Sequence, residues 1–358
     1  MAEGRTSSIE ELILDKKNGN LNPLATRPNN MSSKGTASLL TLLFLLVTLS
    51  GCLTPEGSPI SNSPDEEPIL GPIDERECFE FDSKERCWLI HIPETATPEF
   101  CKENSCPLLI DMHGNSITAH EQSNVSDFSK HTDPDHAILI HPEGIDLGWN
   151  HGRCCNEEND LGFILELIDT IIEERFGDRN RVYLSGWSNG CFMSQEIAVL
   201  ASERIAAVAC MAGYVDEELA MNYSSTPIME IHGVYDQLLP YASGAPSAAF
   251  WGGVLDFDEG AIQNLYWWAD ANKCSGSLPN VETAEWDYSI KKFTNCDDDS
   301  EVVLVTLNFA QHNPYLNNYN GSDEALQLLL TGNPTGIDSS QIAWDFMSQY
   351  SKEIVPEE

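Results

Sequence analysis

The chain predicts an α/β fold with a doubly wound, mostly parallel sheet, on three observations. Short unbroken apolar runs recur along it, as strands covered on both faces require. Amphipathic stretches of helical length alternate with those runs, the pattern of strand–helix–strand units. Between one such run and one such stretch lies the tight turn Gly186-Trp187-Ser188-Asn189-Gly190.

In order along the chain, Glu77–Ile92 alternates in places and turns at Asp82-Ser83, as an antiparallel hairpin would. Pro107–Met112 and Ala137–His141 are continuous apolar strands, ending at His113-Gly114-Asn115 and at Pro142-Glu143-Gly144. A helix follows over Gly162–Phe176, then a strand over Arg181–Leu184, the turn, and a helix reaching Ala201. Strands are expected at Ile205–Cys210, Ile228–His232 and Val302–Asn308, with helices at Ala261–Asn272 and Ser339–Tyr350. Ala242–Glu259 and Asn313–Gly336 read as irregular insertions at strand ends, where pocket walls sit in such sheets.

Domain organisation comes from the N-terminus. Ala37–Leu49 is an apolar run of thirteen residues, too short to span a bilayer and of the length of a signal-peptide core. It ends in Leu49-Ser50-Gly51-Cys52, which resembles a lipobox, so Cys52 is the expected lipidation site and Met31 the expected start of translation. Residues 1–51 therefore form a signal region, 52–75 a Pro/Ser-rich acidic linker, and 76–354 the folded domain. The expectation is an extracytoplasmic, cell-surface lipoprotein or a secreted protein, whose membrane contact is the N-terminal lipid.

The formal net charge of −38 excludes a nucleic-acid partner, whose phosphates need a basic face. A heavily solvated surface, suited to a saline habitat, is the reading of the acidic runs. With Cys52 assigned to lipid, an even ten cysteines remain for an oxidising compartment. Close spacing favours Cys78 with Cys87, Cys101 with Cys106, and Cys274 with Cys296; Cys154, Cys155, Cys191 and Cys210 keep three connectivities open. No paired CxxC or HxxxH steps accompany them, so no metal site is expected.

The chemistry follows from the turn. A G-x-S-x-G between strand and helix holds a serine in a strained conformation that exposes its hydroxyl, making Ser188 the candidate nucleophile. A base and an acid are then needed, on loops after later strands. Asp236 follows the strand ending at His232, and His312 follows the one ending at Asn308. His113 precedes the serine and His232 lies inside a strand, so neither suits the base role. The oxyanion donors expected are the backbone amides of Asn189 and Asn115.

The succession MHGN, HPEG, GWNHGRCC, DLGFI, DRNRVYLSGWSNGCFMS, AAVACMAG, IHGVYDQLLPY, WWADANKC, a late histidine and GIDSSQIAWDF resembles the extracellular polyhydroxybutyrate depolymerase and feruloyl esterase family of α/β-hydrolases, over about Cys78–Ser351. The resemblance implies an α/β-hydrolase fold and hydrolysis of carboxylic esters without metal or organic cofactor, on hydroxyalkanoate oligomers or on acyl and feruloyl decorations of polysaccharide. Residue by residue it makes Ser188, Asp236 and His312 the triad and sets the Trp149-Asn150 segment near the mouth of the site; Trp149, Asn150 and, beside the nucleophile, Trp187 are the candidate substrate contacts. Cys191 stands where the family usually has a second glycine, and Ala310-Gln311-His312-Asn313-Pro314-Tyr315 departs from the family's pattern around its base. Two other classes of function are weighed: a prolyl-oligopeptidase-like peptidase, which usually adds a repeat-built gating domain absent from this sequence, and a non-catalytic ligand-binding lipoprotein, which predicts a broken triad.

Overall fold

A computed structural model of the protein describes residues 73–152, 155–215, 219–243, 260–316 and 332–352. The signal region, Cys52, Cys154 and most of both insertions lie outside these residues. Among the described residues no helix is long and apolar enough to cross a membrane.

Among the described residues ten strands form one sheet, in the order β1-β2-β4-β3-β5-β6-β7-β10-β9-β8. The six central strands run parallel: β4 (Ile138–Pro142), β3 (Cys106–Met112), β5 (Gly177–Gly186), β6 (Ala207–Met211), β7 (Ile228–Gly233) and β10 (Val302–Leu307). Antiparallel hairpins flank them, β1 (Ile73–Phe81) with β2 (Lys84–Ile92) at one edge and β8 (Val281–Ala284) with β9 (Tyr288–Phe293) at the other. β1 starts inside the end of the stretch read as linker. In the first hairpin, Cys78 and Cys87 face each other in register and are bonded, as their spacing suggested.

The central strands are apolar throughout because alternate side chains serve opposite faces. Leu108, Ile110, Val182, Leu184 and Val208 pack on one side with Phe163, Leu167, Ile168, Ile197 and Trp268. These come from the helices α4 (Asp160–Arg175), α5 (Asn189–Leu200) and α6 (Ala261–Ala271). Leu109, Leu139, Tyr183, Ala209 and Ile231 pack on the other with Val125, Phe128, Trp344 and Met347. There lie α2 (Ala119–Ser126), the short helix α3 (Ser129–Thr132) and α7 (Ser339–Met347), while the short helix α1 (Pro98–Asn104) packs on the first side against α4. Thr118 and Glu121 form a reciprocal capping box on α2.

Cys101–Cys106 and Cys274–Cys296 are bonded as expected, and Cys191–Cys210 selects among the connectivities left open. The departure at Cys191 is thus a bridge from the first turn of α5 to β6. Cys155 is also disulfide-bonded.

Candidate active site

β5 delivers the chain to the turn and α5 carries it away. Ser188 adopts φ 54°, ψ −116°, a conformation costly for a residue with a side chain, and stays half-exposed between buried neighbours. The turn can be this tight only with glycines beside it. A Cβ on Gly190 would stand 2.1 Å from the Met112 carbonyl oxygen, and one on Gly186 would stand 2.6 Å from the Gly190 carbonyl carbon. The Ser188 amide donates to the Met211 carbonyl at 2.8 Å, fixing the turn against the end of β6.

The loops after β7 and β10 bring Asp236 and His312 together, with His312 Nδ1 2.8 Å from Asp236 Oδ2. The second carboxylate oxygen accepts from the amides of Leu238 and Leu239 at 2.8 and 2.9 Å. Burial opposes ionisation of Asp236, but the attraction and hydrogen bond of His312, with His232 behind, outweigh it and hold the carboxyl below its ordinary value. The His312 ring lies beside Trp187, centroids 5.6 Å apart, and its carbonyl accepts from the Trp187 indole at 2.8 Å. Imidazole and nucleophile are therefore set by adjacent residues. The Ser188 hydroxyl makes no hydrogen bond to a described residue; such contacts commonly tighten only in the substrate complex.

The turn after β3 abuts the serine: a Cβ on Gly114 would lie 3.6 Å from Ser188 Cβ. Next to it, the Asn115 amide donates to no described residue and the residue is exposed. The Asn189 amide opens α5, where the helix dipole favours negative charge.

The tryptophans take other places than expected. Trp149 is completely buried, its indole donating to the His113 carbonyl at 2.9 Å, and it offers no surface to a ligand. Its own backbone is clamped by the Asn189 side chain, which accepts from Trp149 N at 2.6 Å and donates to Trp149 O at 3.0 Å. Asn150 is half-buried and bound to Asp160 Oδ2 and the Glu158 carbonyl. Trp187 is 2 % exposed and lies beneath His312. All three stand as braces of the surrounding loops. The reason is geometric: each indole finds a carbonyl partner 36 or 125 residues away, which no local pattern discloses.

His113 is neutral, since its Nε2 accepts from the Gly144 amide while Nδ1 donates to the Gly114 carbonyl, and burial pushes its pKa down. His232 is wholly buried in β7 between Glu230 and the Asp236 loop. Glu230 had not been expected near the site, although a carboxylate in the apolar run of β7 was a visible signal. Among the described residues, Cys78, Glu85 and Cys87 are the grouping tight enough for a cation, but the two sulfurs are bonded to each other. A cleft of about 650 Å³ near β1 and α2 is lined by His91, His120 and His141 and by none of the residues around Ser188.

Residues 157–260 match the family described as phospholipase/carboxylesterase. Over 222 residues the chain is 28% identical to feruloyl esterase B of Piromyces equi, covering 60% of this chain and 40% of the relative. Over 137 residues it is 26% identical to the bifunctional acetylxylan esterase/xylanase XynS20E of Neocallimastix patriciarum, covering 38% and 20%. The chain thus spans well under half the length of these curated relatives. Among solved structures, acetyl xylan esterase from Aspergillus awamori superposes with a TM-score of 0.51 at 13% identity, over 66% of this chain and 94% of the other. The similarity is one of fold, a mostly parallel sheet flanked by helices.

Proposed function

We propose that this α/β-hydrolase, similar in sequence to feruloyl esterases, hydrolyses carboxylic esters through an acyl-enzyme on Ser188. The observation that carries the reading is the His312–Asp236 pair at the ends of β10 and β7, joined through the Trp187 indole to the strained Ser188. In that reading His312 Nδ1 is committed to Asp236, which leaves Nε2 to take the Ser188 proton as the hydroxyl oxygen attacks the ester carbonyl. The Asn189 and Asn115 amides receive the oxyanion, and the protonated imidazole then gives its proton to the departing alkoxide. Water, activated by the same histidine, releases the acid.

Feruloyl and acetyl esters of polysaccharide stand ahead of hydroxyalkanoate oligomers as substrates, because the relatives named above are esterases of the former kinds. Four described disulfides support an oxidising compartment, and the sequence around Cys52 supports a lipid anchor there. Incubating the protein with p-nitrophenyl butyrate, a feruloyl ester, a peptide anilide and hydroxybutyrate oligomers separates the readings. Ester turnover lost in Ser188→Ala, with thermal unfolding unchanged, is expected. Cleavage of the anilide instead indicates a peptidase, and no turnover of any ester indicates a binding protein.

A further inference from the structure

His232 is completely buried, and both its ring nitrogens face acceptors. Nδ1 lies 2.7 Å from Glu230 Oε1, while Nε2 lies 3.0 Å from the Leu239 carbonyl and 3.4 Å from Asp236 Oδ2. Opposite a Glu230 carboxylate, a neutral imidazole with its one N–H would leave one of these contacts as two lone pairs in apposition, so the geometry points to a proton on each nitrogen. The other Glu230 oxygen accepts from Asn264 of α6 at 2.8 Å. Tyr214 stacks on the ring with centroids 5.7 Å apart, and Tyr241 approaches it at 6.1 Å, tilted. The charged groups acting on His232 are thus two carboxylates, Glu230 from its own strand and Asp236 from the following loop.

We propose that His232 is a positioning residue of the active site: held as an imidazolium between Glu230, Asp236 and the Leu239 carbonyl, it fixes the turn that presents Asp236 to His312. The turn is tied at both ends. Asp236 Oδ1 accepts the Leu238 and Leu239 amides, and the Leu239 carbonyl is bound by the His232 ring. The cation has a second effect. Its charge, 3.4 Å from Asp236 Oδ2, partly balances from behind the carboxylate that meets His312 and helps to hold it ionised. Burial alone works against an imidazolium here, but the hydrogen bond and attraction of Glu230, with the pull of Asp236, leave its pKa raised. Glu230 is therefore part of the device.

This inference rests on the reading of Ser188, Asp236 and His312 as a triad, so its test has one arm that needs no turnover. Histidine ¹⁵N NMR of the intact protein across about pH 5 to 9 should show His232 doubly protonated at neutral pH, equally in Ser188→Ala. Glu230→Gln, which preserves size, should bring its ionisation to lower pH. A neutral tautomer of His232 at pH 7 overturns the proposal whatever the enzyme turns over. In the kinetic arm, His232→Asn should lower kcat on the order of tenfold with little change in KM, and move the acid limb of kcat/KM to higher pH. The sign follows from leaving the Glu230 carboxylate uncompensated beside the Asp236 loop. Removing both charges in His232→Asn with Glu230→Gln should return the limb toward wild type while kcat stays low. A lowered rate with an unmoved limb would show a merely structural histidine and overturn the electrostatic role. Retained turnover in Ser188→Ala would instead defeat the triad reading and leave the NMR result standing.

Discussion

Asn189 shows how one residue can serve a site twice. Its backbone amide opens α5 where an oxyanion would sit, and its side chain binds both backbone groups of Trp149 across 40 residues of sequence. Asn189→Ala leaves that buried N–H and C=O without partners, at a cost of about 1–3 kcal/mol. Urea unfolding should show the loss while the Ser188 geometry persists; unchanged stability would mean that Trp149 is held by other contacts. The candidate triad was legible at this scale because each member follows a strand end, and the strands announce themselves by unbroken apolar sequence. The burial of Trp149 was not legible. A tryptophan in a polar loop reads as a pocket wall until its carbonyl partner, set by the close of a different loop, is known.

Among the elements, the central strands and the long helices emerged near their expected bounds, because burial on two faces leaves a continuous signature; β5 begins four residues before the expected Arg181, in a stretch that is only partly buried. β8 and β9 escaped detection for the converse reason: β8 is largely exposed, with Val281, Glu282 and Ala284 in solvent, and so carries no alternation. α1 and α2 are too short for a periodic pattern and rest on caps and packing instead. The hairpin depends on covalent support, since Cys274, after α6, is tied to Cys296, after β9. Closing a loop with a sequence separation of 22 contributes about 3 kcal/mol in the chain-entropy account. Replacing both cysteines by serine should lower the melting temperature accordingly, and an unchanged transition would place the hairpin's stability in its packing. A steeper effect is expected at the elbow. Gly190→Ala sets a methyl group 2.1 Å from a backbone oxygen of β3, neither of which can yield, so α5 must move off the sheet. Soluble protein from that variant with a normal near-ultraviolet spectrum would contradict the close approach.

For the whole molecule, the excess of 57 acidic over 19 basic residues sets up self-repulsion that added salt screens. Stability should therefore rise between low ionic strength and about 1 M sodium chloride, and a flat profile would remove the case for an electrostatically strained surface. The buried charges respond differently. Asp236 is held below its ordinary value, near 3.8, so its contribution is full above that pH and is lost as pH falls further. His232 is raised above its ordinary value of 6.5, so its contribution is full below 6.5 and is lost as pH rises through the folded-state value. The two together favour the folded state most between those limits. Because both groups are shut away from solvent, salt cannot screen them as it screens the surface. Melting temperatures measured against pH at low and at high salt should then differ in height but share the same fall on the alkaline side. In Glu230→Gln that alkaline fall should begin at lower pH, as the histidine loses its nearest anion. An alkaline limb that disappears in salt would assign the loss to surface self-repulsion that grows as surface cations lose their protons, and the buried chain from Glu230 to His312 would carry no share of it.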